Sequence, residues 1–279
     1  MNKLMYLWFA VKTVFCTCQP DHKINDFEKV RSQYKISKIG KLPAVASESS
    51  GLANGSTPGM FITHNDSGGK PEFYEFDLSG KLTSTITVPN AQNIDWEDLT
   101  KDSDGHLYVG DFGNNGTPRK QFEIYKFDGK RGKTEKISFH YADQKSVASV
   151  SEKPTFDCES LFYYQKSLYL FSKNWDKNKN VKLYRVPAEA GNYTLTAIDS
   201  IEINTQVTSA DISPDGKTFA LLTYGKILLF GIENNRIDFS KPQGCFRLVK
   251  KQNEALMFLN NTDMLVTNEQ GNIYRITYK

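Results

Sequence analysis

Acidic residues recur at the start of successive apolar runs that have the length of β-strands. Glu48, Glu97, Glu159, Ser209 and Glu254 occupy this position in five consecutive segments of the chain. The strand propensity of glutamate does not explain such a recurrence. Carboxylates that gather in one place repel each other and lose hydration, so some must be protonated or a cation must lie among them. Oxygen ligands from Glu, Asp, Asn and Ser suit Ca²⁺, which predicts a calcium site.

Two alternatives to Ca²⁺ are compatible with the same residues: a polar funnel filled with water, and a different metal ion. Zinc is disfavoured because the histidines are scattered along the chain and no Cys/His pair has the spacing of zinc ligands. These histidines are His22, His64, His106 and His140.

A second set of polar residues follows the next apolar run of each segment. The second strand of a hairpin ends beside the start of the first, so both sets are expected on one rim of the fold. We predict that the second set binds a substrate or another ligand. Lys173 has two interpretations, because it would either bind an anionic ligand or pair with the carboxylates. The predicted ligand-binding residues are Asn65, Asn114, Lys173, Asn174, Asn268 and Glu269.

Candidate general bases lie next to these residues. Asp66, Asp98 and Asp111 would activate water in a reaction in which the metal polarises the substrate. His64 is a further candidate base, although a rim histidine without a catalytic role is the favoured interpretation. The chain lacks the Gly-x-Ser-x-Gly, phosphate-loop and His-Glu-x-x-His motifs. Any hydrolysis would therefore depend on the metal and the carboxylates.

The elements that would position these residues form an internal repeat. Short apolar or alternating runs are separated by Gly, Asn, Asp and Pro, which is typical of many short antiparallel strands. Each repeat spans about 50 residues, close to the length of a four-stranded propeller blade. The sequence therefore predicts an all-β fold, a five-bladed β-propeller over residues 33–279, with six blades as the alternative. Apolar residues at the matching position of each repeat are Leu52, Leu99, Leu161, Ile212 and Leu256.

The two ends of the repeat predict how the ring closes. The fifth repeat ends at Lys279 after three strands, and an additional strand at 34–39 precedes the first repeat. This strand is predicted to supply the missing outer strand and to close the ring without a covalent bond. The other outer strands are predicted at 82–88, 136–140, 195–203 and about 245–249.

The repeat scheme resembles the calcium-activated nucleotidase (apyrase) family, whose members are five-bladed propellers with Ca²⁺ in the central channel. The resemblance extends over residues 33–279 and implies a Ca²⁺-binding ring. The longer nucleotide-contacting insertions of that family are absent, so the resemblance implies the fold and the metal more than hydrolysis of ATP or ADP. The implied ring residues are Ser50 (or Glu48), Glu97, Glu159, Ser209 and Glu254.

Three segments, 63–69, 95–99 and 110–115, also resemble exported bacterial propellers that are grouped with gluconolactonase/SMP-30-like and phytase-esterase-like proteins. In lactonase-type propellers, Glu, Asn and Asp from several blades hold a divalent ion. The residues that this resemblance implies here are Glu97, Asn65, Asp111 and Asn174.

The amino-terminal residues predict export. Residues 1–18 combine a short basic start with an apolar run that is too short to span a bilayer. Cys18 lies in a degenerate lipoprotein processing site and is the predicted lipidation residue; a cleaved secretory signal and a plain buried or disordered start are the alternatives. The polar residues 19–32 predict a tether. Cys158 and Cys245 are expected to be buried free thiols, with a disulfide between them as the alternative.

The composition narrows the function classes. The chain has 279 residues, of which 39% are hydrophobic, and a formal net charge of +3. Such a chain is not a membrane-embedded protein, a coiled coil or a disordered protein, and its charge does not favour nucleic-acid binding.

We expect a monomeric, exported, Ca²⁺-binding propeller of the cell envelope, lipid-anchored in the outer membrane or periplasm or otherwise secreted. Its axial rim would bind a small molecule, glycan, peptide or partner protein. The first alternative is a Ca²⁺-dependent hydrolase of a phosphoester, phosphoanhydride or lactone. The second is a cell-surface scaffold.

Overall fold

The computed structural model describes residues 17–114, 119–144, 156–174, 180–248 and 252–279. The described chain begins with α1 (Gln19–Asn25), β1 (Glu28–Lys29) and β2 (Tyr34–Lys41). Five groups of strands follow in chain order, and the strands of each group pair antiparallel in one sheet, except the strand at Gly191–Leu195, which joins the neighbouring sheet. Blade 1 consists of β3 (Ser49–Asn54), β4 (Met60–Asn65), β5 (Glu72–Asp77) and β6 (Leu82–Thr87).

Blades 2 to 5 repeat this order from the axis outwards. Blade 2 contains β7 (Trp96–Lys101), β8 (Leu107–Asp111), β9 (Phe122–Asp128) and β10 (Lys133–Tyr141). Blade 3 contains β11 (Cys158–Tyr164), β12 (Ser167–Ser172) and β13 (Asn180–Pro187), followed by β14 (Gly191–Leu195) and β15 (Asp199–Glu202). Blade 4 contains β16 (Val207–Ile212), β17 (Thr218–Thr223), β18 (Lys226–Gly231) and β19 (Pro242–Arg247). Blade 5 contains β20 (Asn253–Phe258), β21 (Met264–Asn268) and β22 (Asn272–Tyr278).

The five-bladed propeller and its closure are confirmed. Strand β2 is the outermost strand of blade 5 and pairs antiparallel with β22, with Tyr34 opposite Tyr278. The fifth blade is thus completed by residues from before the first blade, and its outer strand carries three lysines that make the edge unattractive to further strands.

The apolar core is divided among the blade junctions. At each junction, a cluster of buried side chains combines residues from two neighbouring blades. Trp96 of blade 2, for example, is fully buried and packs 5.7 Å from the ring of Phe73 in blade 1. Burial of one large apolar side chain contributes about 2–3 kcal/mol, so each junction is a substantial source of stability.

The outer strand predicted at 195–203 is correct only in its second half, because this segment serves two blades. Strand β14 pairs in parallel with β10 and becomes a fifth strand of blade 2, whereas β15 pairs with β13 and completes blade 3. Leu195 and Ile201 are therefore buried in two different junction clusters. The residues 196–198, which belong to no strand, separate the two halves.

The tether predicted at 19–32 is also wrong. Strand β1 pairs in parallel with β19 and becomes a fifth strand of blade 4. Phe27 is fully buried and lies edge-on to Phe230 at 5.1 Å. Asp21 on α1 forms a fully buried ion pair with Lys226 of β18. The segment is therefore an integral part of the fold.

The prediction of buried free thiols is correct for Cys158 and wrong for Cys245. Cys18 and Cys245 form a disulfide with a Cα–Cα distance of 5.7 Å, while Cys158 is buried and unbonded. Cys245 is therefore neither a free thiol nor the partner of Cys158. A sulfur in a disulfide cannot carry a lipid thioether, so this disulfide and the predicted lipidation of Cys18 are mutually exclusive. Among the described residues, none of the helices has the length and hydrophobicity needed to cross a membrane.

Candidate metal centre at the propeller rim

A β-bulge at the start of each innermost strand positions the rim residues. In each blade the hydrogen-bond register between the first and second strands shifts by one residue at this point. A bulge turns the extra side chain away from the regular alternation. The residues at the bulges are Ser50, Glu97 with Asp98, Glu159, Thr208 and Glu254.

The register shows that Ser209 is not the blade 4 member of the predicted ring. Thr208 occupies the bulge there, and its hydroxyl donates to the backbone oxygen of Asn253 at 2.8 Å. Ser209 lies one residue further along and faces the other side of the strand. Its hydroxyl donates to Asp98 at 3.2 Å and accepts the Leu256 N–H at 3.1 Å. The prediction of Ser209 as a metal ligand is therefore wrong.

Asp98 links three blades beneath the rim. Its carboxylate accepts the Leu161 N–H of blade 3 and the Ala210 N–H of blade 4, each at 3.1 Å. The side chain is fully buried, and burial raises its pKa well above the usual value against the opposing effect of these hydrogen bonds. Asp98 thus joins the inner strands across the axis and has no access to a substrate at the rim, contrary to its prediction as a base.

Two overlapping groups of carboxylates lie at the rim. Asp66 of blade 1 and Asp95 and Glu97 of blade 2 place one oxygen each within 4.8 Å of one another. Glu97 also belongs to a second group with Asp157 and Glu159 of blade 3, within the same distance. We call these two groups the outer triad and the inner triad. The structure thus brings together the predicted residues Asp66, Glu97 and Glu159.

The sequence prediction missed Asp95 and Asp157. Each stands two residues before a predicted glutamate, so an Asp-x-Glu pattern at the start of β7 and β11 was the available signal. The backbone of Gly113 closes over the outer triad. A Cβ atom there would overlap Glu97 Oε1 and lie 2.5 Å from Asp95 Oδ2. Only glycine therefore fits against these carboxylates without displacing them.

The triads have unusual electrostatics. Burial, with smaller contributions from Asp66 and Asp157, raises the pKa of Asp95 to about 7. Burial also raises the pKa values of Glu97 and Glu159 well above the usual range. These raised pKa values show that keeping the carboxylates ionised costs free energy when no cation compensates their charge.

Lys173 supplies one positive charge to the inner triad. Its ammonium lies 2.7 Å from Glu159 Oε1, and both side chains are buried. Burial lowers the pKa of Lys173, but Glu159 and neighbouring acidic groups outweigh it and raise that pKa well above the usual value. Of the two interpretations of Lys173, the geometry matches pairing with the ring carboxylates.

A cavity of about 250 Å³ opens beside the outer triad. Glu269 is half-buried and accepts a hydrogen bond from the Gln252 amide. Burial raises the pKa values of Glu254 and Glu269 above their usual range. The cavity combines predicted metal ligands with the predicted ligand-binding Glu269. Its lining residues are Ser47, Glu48, Ser49, Ser50, Asp66, Glu254 and Glu269.

The predicted ligand-binding amides hold the backbone at the rim. Asn65 Nδ2 donates to the Val45 oxygen at 2.8 Å, and Asn114 Nδ2 donates to the Phe156 oxygen of blade 3 at 3.0 Å. Asn174 Nδ2 donates to the Ile203 oxygen at 2.6 Å. Asn268 Oδ1 accepts the Asn272 N–H at 3.0 Å. These side chains therefore order loops and blade junctions.

His64 and Asp111 are buried away from the rim opening. His64 lies edge-on to Trp96 with ring centroids 5.5 Å apart, and burial lowers its pKa to about 4. Asp111 pairs with Arg119 at 2.8 Å and accepts the Asp95 N–H at 3.0 Å. The structure contradicts both as solvent-accessible bases. Arg119, which the sequence prediction missed, thus helps to position Asp95.

Comparisons with known proteins give only distant structural likenesses. No family model matches it, and no curated protein matches it. A chain in a structure of a mitotic checkpoint complex is 13% identical with a TM-score of 0.44; the match covers 82% of this chain and 61% of that chain. A gluconolactonase from Xanthomonas campestris is 9% identical with a TM-score of 0.49, and the match covers 94% of each chain. Likenesses this distant establish neither an activity nor a ligand.

Proposed function

We propose that this protein is a Ca²⁺-binding propeller whose axial rim recognises a ligand beside the bound cation. The observation that carries the proposal is that the carboxylate of Glu97 is buried without a hydrogen-bond donor among the described residues. This carboxylate is only 3% exposed, belongs to both triads, and accepts no hydrogen bond from any described residue. A buried carboxylate without a partner is costly, and a cation between the triads would supply the missing interaction.

The donor set fits calcium. Each triad consists of carboxylates alone, contributed by two blades. Hard cations such as Ca²⁺ take oxygen ligands, and Ca²⁺ accepts irregular shells of about 6–8 oxygens. Asp66, Asp95, Glu97, Asp157 and Glu159 would hold the ion, and its chemistry there would be charge compensation and attraction of an anionic group. The close approach of Gly113 keeps Asp95 and Glu97 together without a side chain between them.

The residues at the rim fit ligand binding better than they fit hydrolysis. Three of the four predicted bases, His64, Asp98 and Asp111, are fully buried. The rim cavity is lined largely by carboxylate and hydroxyl groups, which suits the hydroxyls of a glycan or a small molecule with a cation-binding anionic group.

A Ca²⁺-dependent hydrolase is the second candidate, and the position of Asp66 favours it. This side chain is half-buried, belongs to the outer triad and also lines the cavity. It is therefore the predicted base that borders both the proposed ion and open space. The substrates to test are phosphoesters, phosphoanhydrides and lactones.

Metal analysis and thermal unfolding test the proposal. Purified protein, treated with chelator and then with CaCl₂, is expected to retain Ca²⁺ after dialysis and to unfold at a higher temperature. Glu97→Gln should lose both effects, whereas Glu189→Gln, the same change at an exposed site, should keep them. An unchanged melting curve and no retained ion in the wild-type protein would contradict the proposal.

Turnover separates the two candidate functions. If the protein hydrolyses a panel member only when Ca²⁺ is bound, and Glu97→Gln loses this turnover together with the ion, the hydrolase is correct. Binding of a ligand without turnover in any member of the panel supports the binding function instead.

We also propose that the protein is exported. The Cys18–Cys245 disulfide supports this location, because disulfides persist in oxidising compartments outside the cytosol. The test is fractionation of the producing cells followed by non-reducing mass spectrometry. Recovery of the chain in the cytosol with Cys245 as a free thiol would contradict export.

A further inference from the structure

We propose that the rim holds two cations, one in each triad, with Glu97 as the carboxylate that bridges them. The inference rests on the proposed function and specifies the number and arrangement of the ions. Its geometric basis is that the outer triad (Asp66, Asp95 and Glu97) and the inner triad (Glu97, Asp157 and Glu159) share a single residue. A carboxylate has two oxygens, so Glu97 can bind one ion with each.

The free carboxylates at the centre of the cluster point to the same arrangement. Glu97 is 3% exposed and Asp95 is 8% exposed. No described residue donates a hydrogen bond to the carboxylate of either side chain. Nearby acidic side chains at the same rim do have donors: Asp157 Oδ1 accepts the Asn114 N–H at 2.7 Å, and Asp66 Oδ1 accepts the Ser67 N–H at 2.6 Å. The two carboxylates without donors are thus two of the three that an outer ion would contact.

When all five carboxylates are ionised, two divalent ions would neutralise the cluster. The five carboxylates of the triads carry −5 when ionised, and Lys173 adds +1 through its ion pair with Glu159. One Ca²⁺ would leave −2 in a buried cluster, whereas two would leave none. Buried charge is retained when it is compensated nearby, so full ionisation of the triads favours the second ion.

The two sites differ in their surroundings, which separates their roles. The inner triad is buried throughout and contacts Lys173. The outer triad contains the half-buried Asp66, which also lines the open cavity. The inner ion therefore joins blades 2 and 3, and the outer ion is the one that exchanges with solvent and contacts a ligand.

Binding stoichiometry tests the proposal. Equilibrium dialysis of the chelator-treated full chain against CaCl₂, followed by elemental analysis, is expected to give two Ca²⁺ per chain. Asp66→Asn and Asp157→Asn should each retain one ion, because each change removes a ligand from one triad only. Glu97→Gln should weaken both sites by about 100-fold or more, and the exposed control Glu189→Gln should retain two ions.

A second measurement uses the wild-type protein, so its result does not depend on whether the variants fold. The protein is loaded with Tb³⁺ in place of Ca²⁺, and Nd³⁺ is then added stepwise. The luminescence lifetime of Tb³⁺ is measured at each step. Two ions that share a carboxylate lie close enough for energy transfer, so the Tb³⁺ lifetime should fall as mixed pairs form.

The outcomes distinguish this inference from the proposed function. One Ca²⁺ at saturation, or a Tb³⁺ lifetime that Nd³⁺ does not change, would overturn the paired site and leave the calcium-binding function intact. No bound Ca²⁺ at all would overturn both. Loss of both ions in Asp66→Asn, with folding shown to be intact by circular dichroism, would also contradict two separable sites.

Discussion

The titration of His64 tests whether this histidine lies in the core or at an accessible rim. The imidazole is fully buried against Trp96. Its Nδ1 lies 2.9 Å from the Asn65 oxygen, while Nε2 has no hydrogen-bond partner among the described residues. Protonation would place a second N–H in an apolar site without an acceptor, and this burial lowers the pKa from 6.5 to about 4.

The effect on stability follows from proton linkage. Between pH 6.5 and about 4 the unfolded chain binds a proton at His64 that the folded chain does not bind. The stabilisation is therefore complete above pH 6.5 and is lost as the pH falls towards 4. At about 1.4 kcal/mol per pH unit, the contribution of this one residue reaches about 3 kcal/mol.

The measurement combines NMR with urea unfolding. The Cε1–H resonance of His64, assigned with His64→Phe, should titrate near pH 4. The free energy of unfolding of the wild-type protein should lose about 3 kcal/mol more between pH 7 and 4 than that of His64→Phe. His140→Phe, at an exposed position, controls for the loss of one histidine. All samples contain chelator, so that metal binding at the rim does not contribute.

Two results would refute the reasoning. A His64 resonance that titrates near pH 6.5 would show that the ring is hydrated and reaches solvent at the rim. Equal pH dependence of wild type and His64→Phe would show that the folded and unfolded chains protonate alike at this position.

Three further predictions follow from other contacts. Cys245→Ser should lower the free energy of unfolding by about 5 kcal/mol, from the chain entropy of a 227-residue loop; a loss below about 1 kcal/mol in urea melts would contradict this. Asp98→Ala should cost about 4 kcal/mol by leaving buried backbone N–H groups unsatisfied, and Asp98→Asn less, because it keeps one acceptor; equal urea midpoints for the two variants would argue against that role. Gly113→Ala should remove the rise in melting temperature with CaCl₂, because the added Cβ would overlap Glu97 Oε1, whereas Gly129→Ala, where the nearest atom would lie 3.5 Å away, should keep it.

Local sequence signals were sufficient for the five-bladed arrangement and for the closure of the ring. Strand alternation and turn residues are properties of neighbouring residues, and their recurrence identifies five blades. The strand that closes the ring was predictable because the last repeat lacks one strand and β2 precedes the first. Glu97 and Glu159 were predictable for the same reason, since equivalent positions of a repeat meet at one rim.

The register of single residues was not predictable. A one-residue shift moves a side chain to the opposite face of a strand, and the bulge in blade 4 places Thr208 at the rim in place of Ser209. The same effect directs Asp98 to the axis, where it accepts N–H groups from blades 3 and 4. The bulges depend on hydrogen bonds between strands, and a single segment carries no information on them.

The sequence alone determined the repeat, the five blades, the closure of the ring and the concentration of carboxylates at one rim, because these follow from periodicity. Only the tertiary structure decided which carboxylates meet. Asp66, Asp95 and Asp157 come from three blades, and the Cys18–Cys245 disulfide joins residues 227 positions apart. Such contacts arise from the way the blades pack around the axis. There, residues that are distant in the chain share one buried environment and shift each other's pKa values.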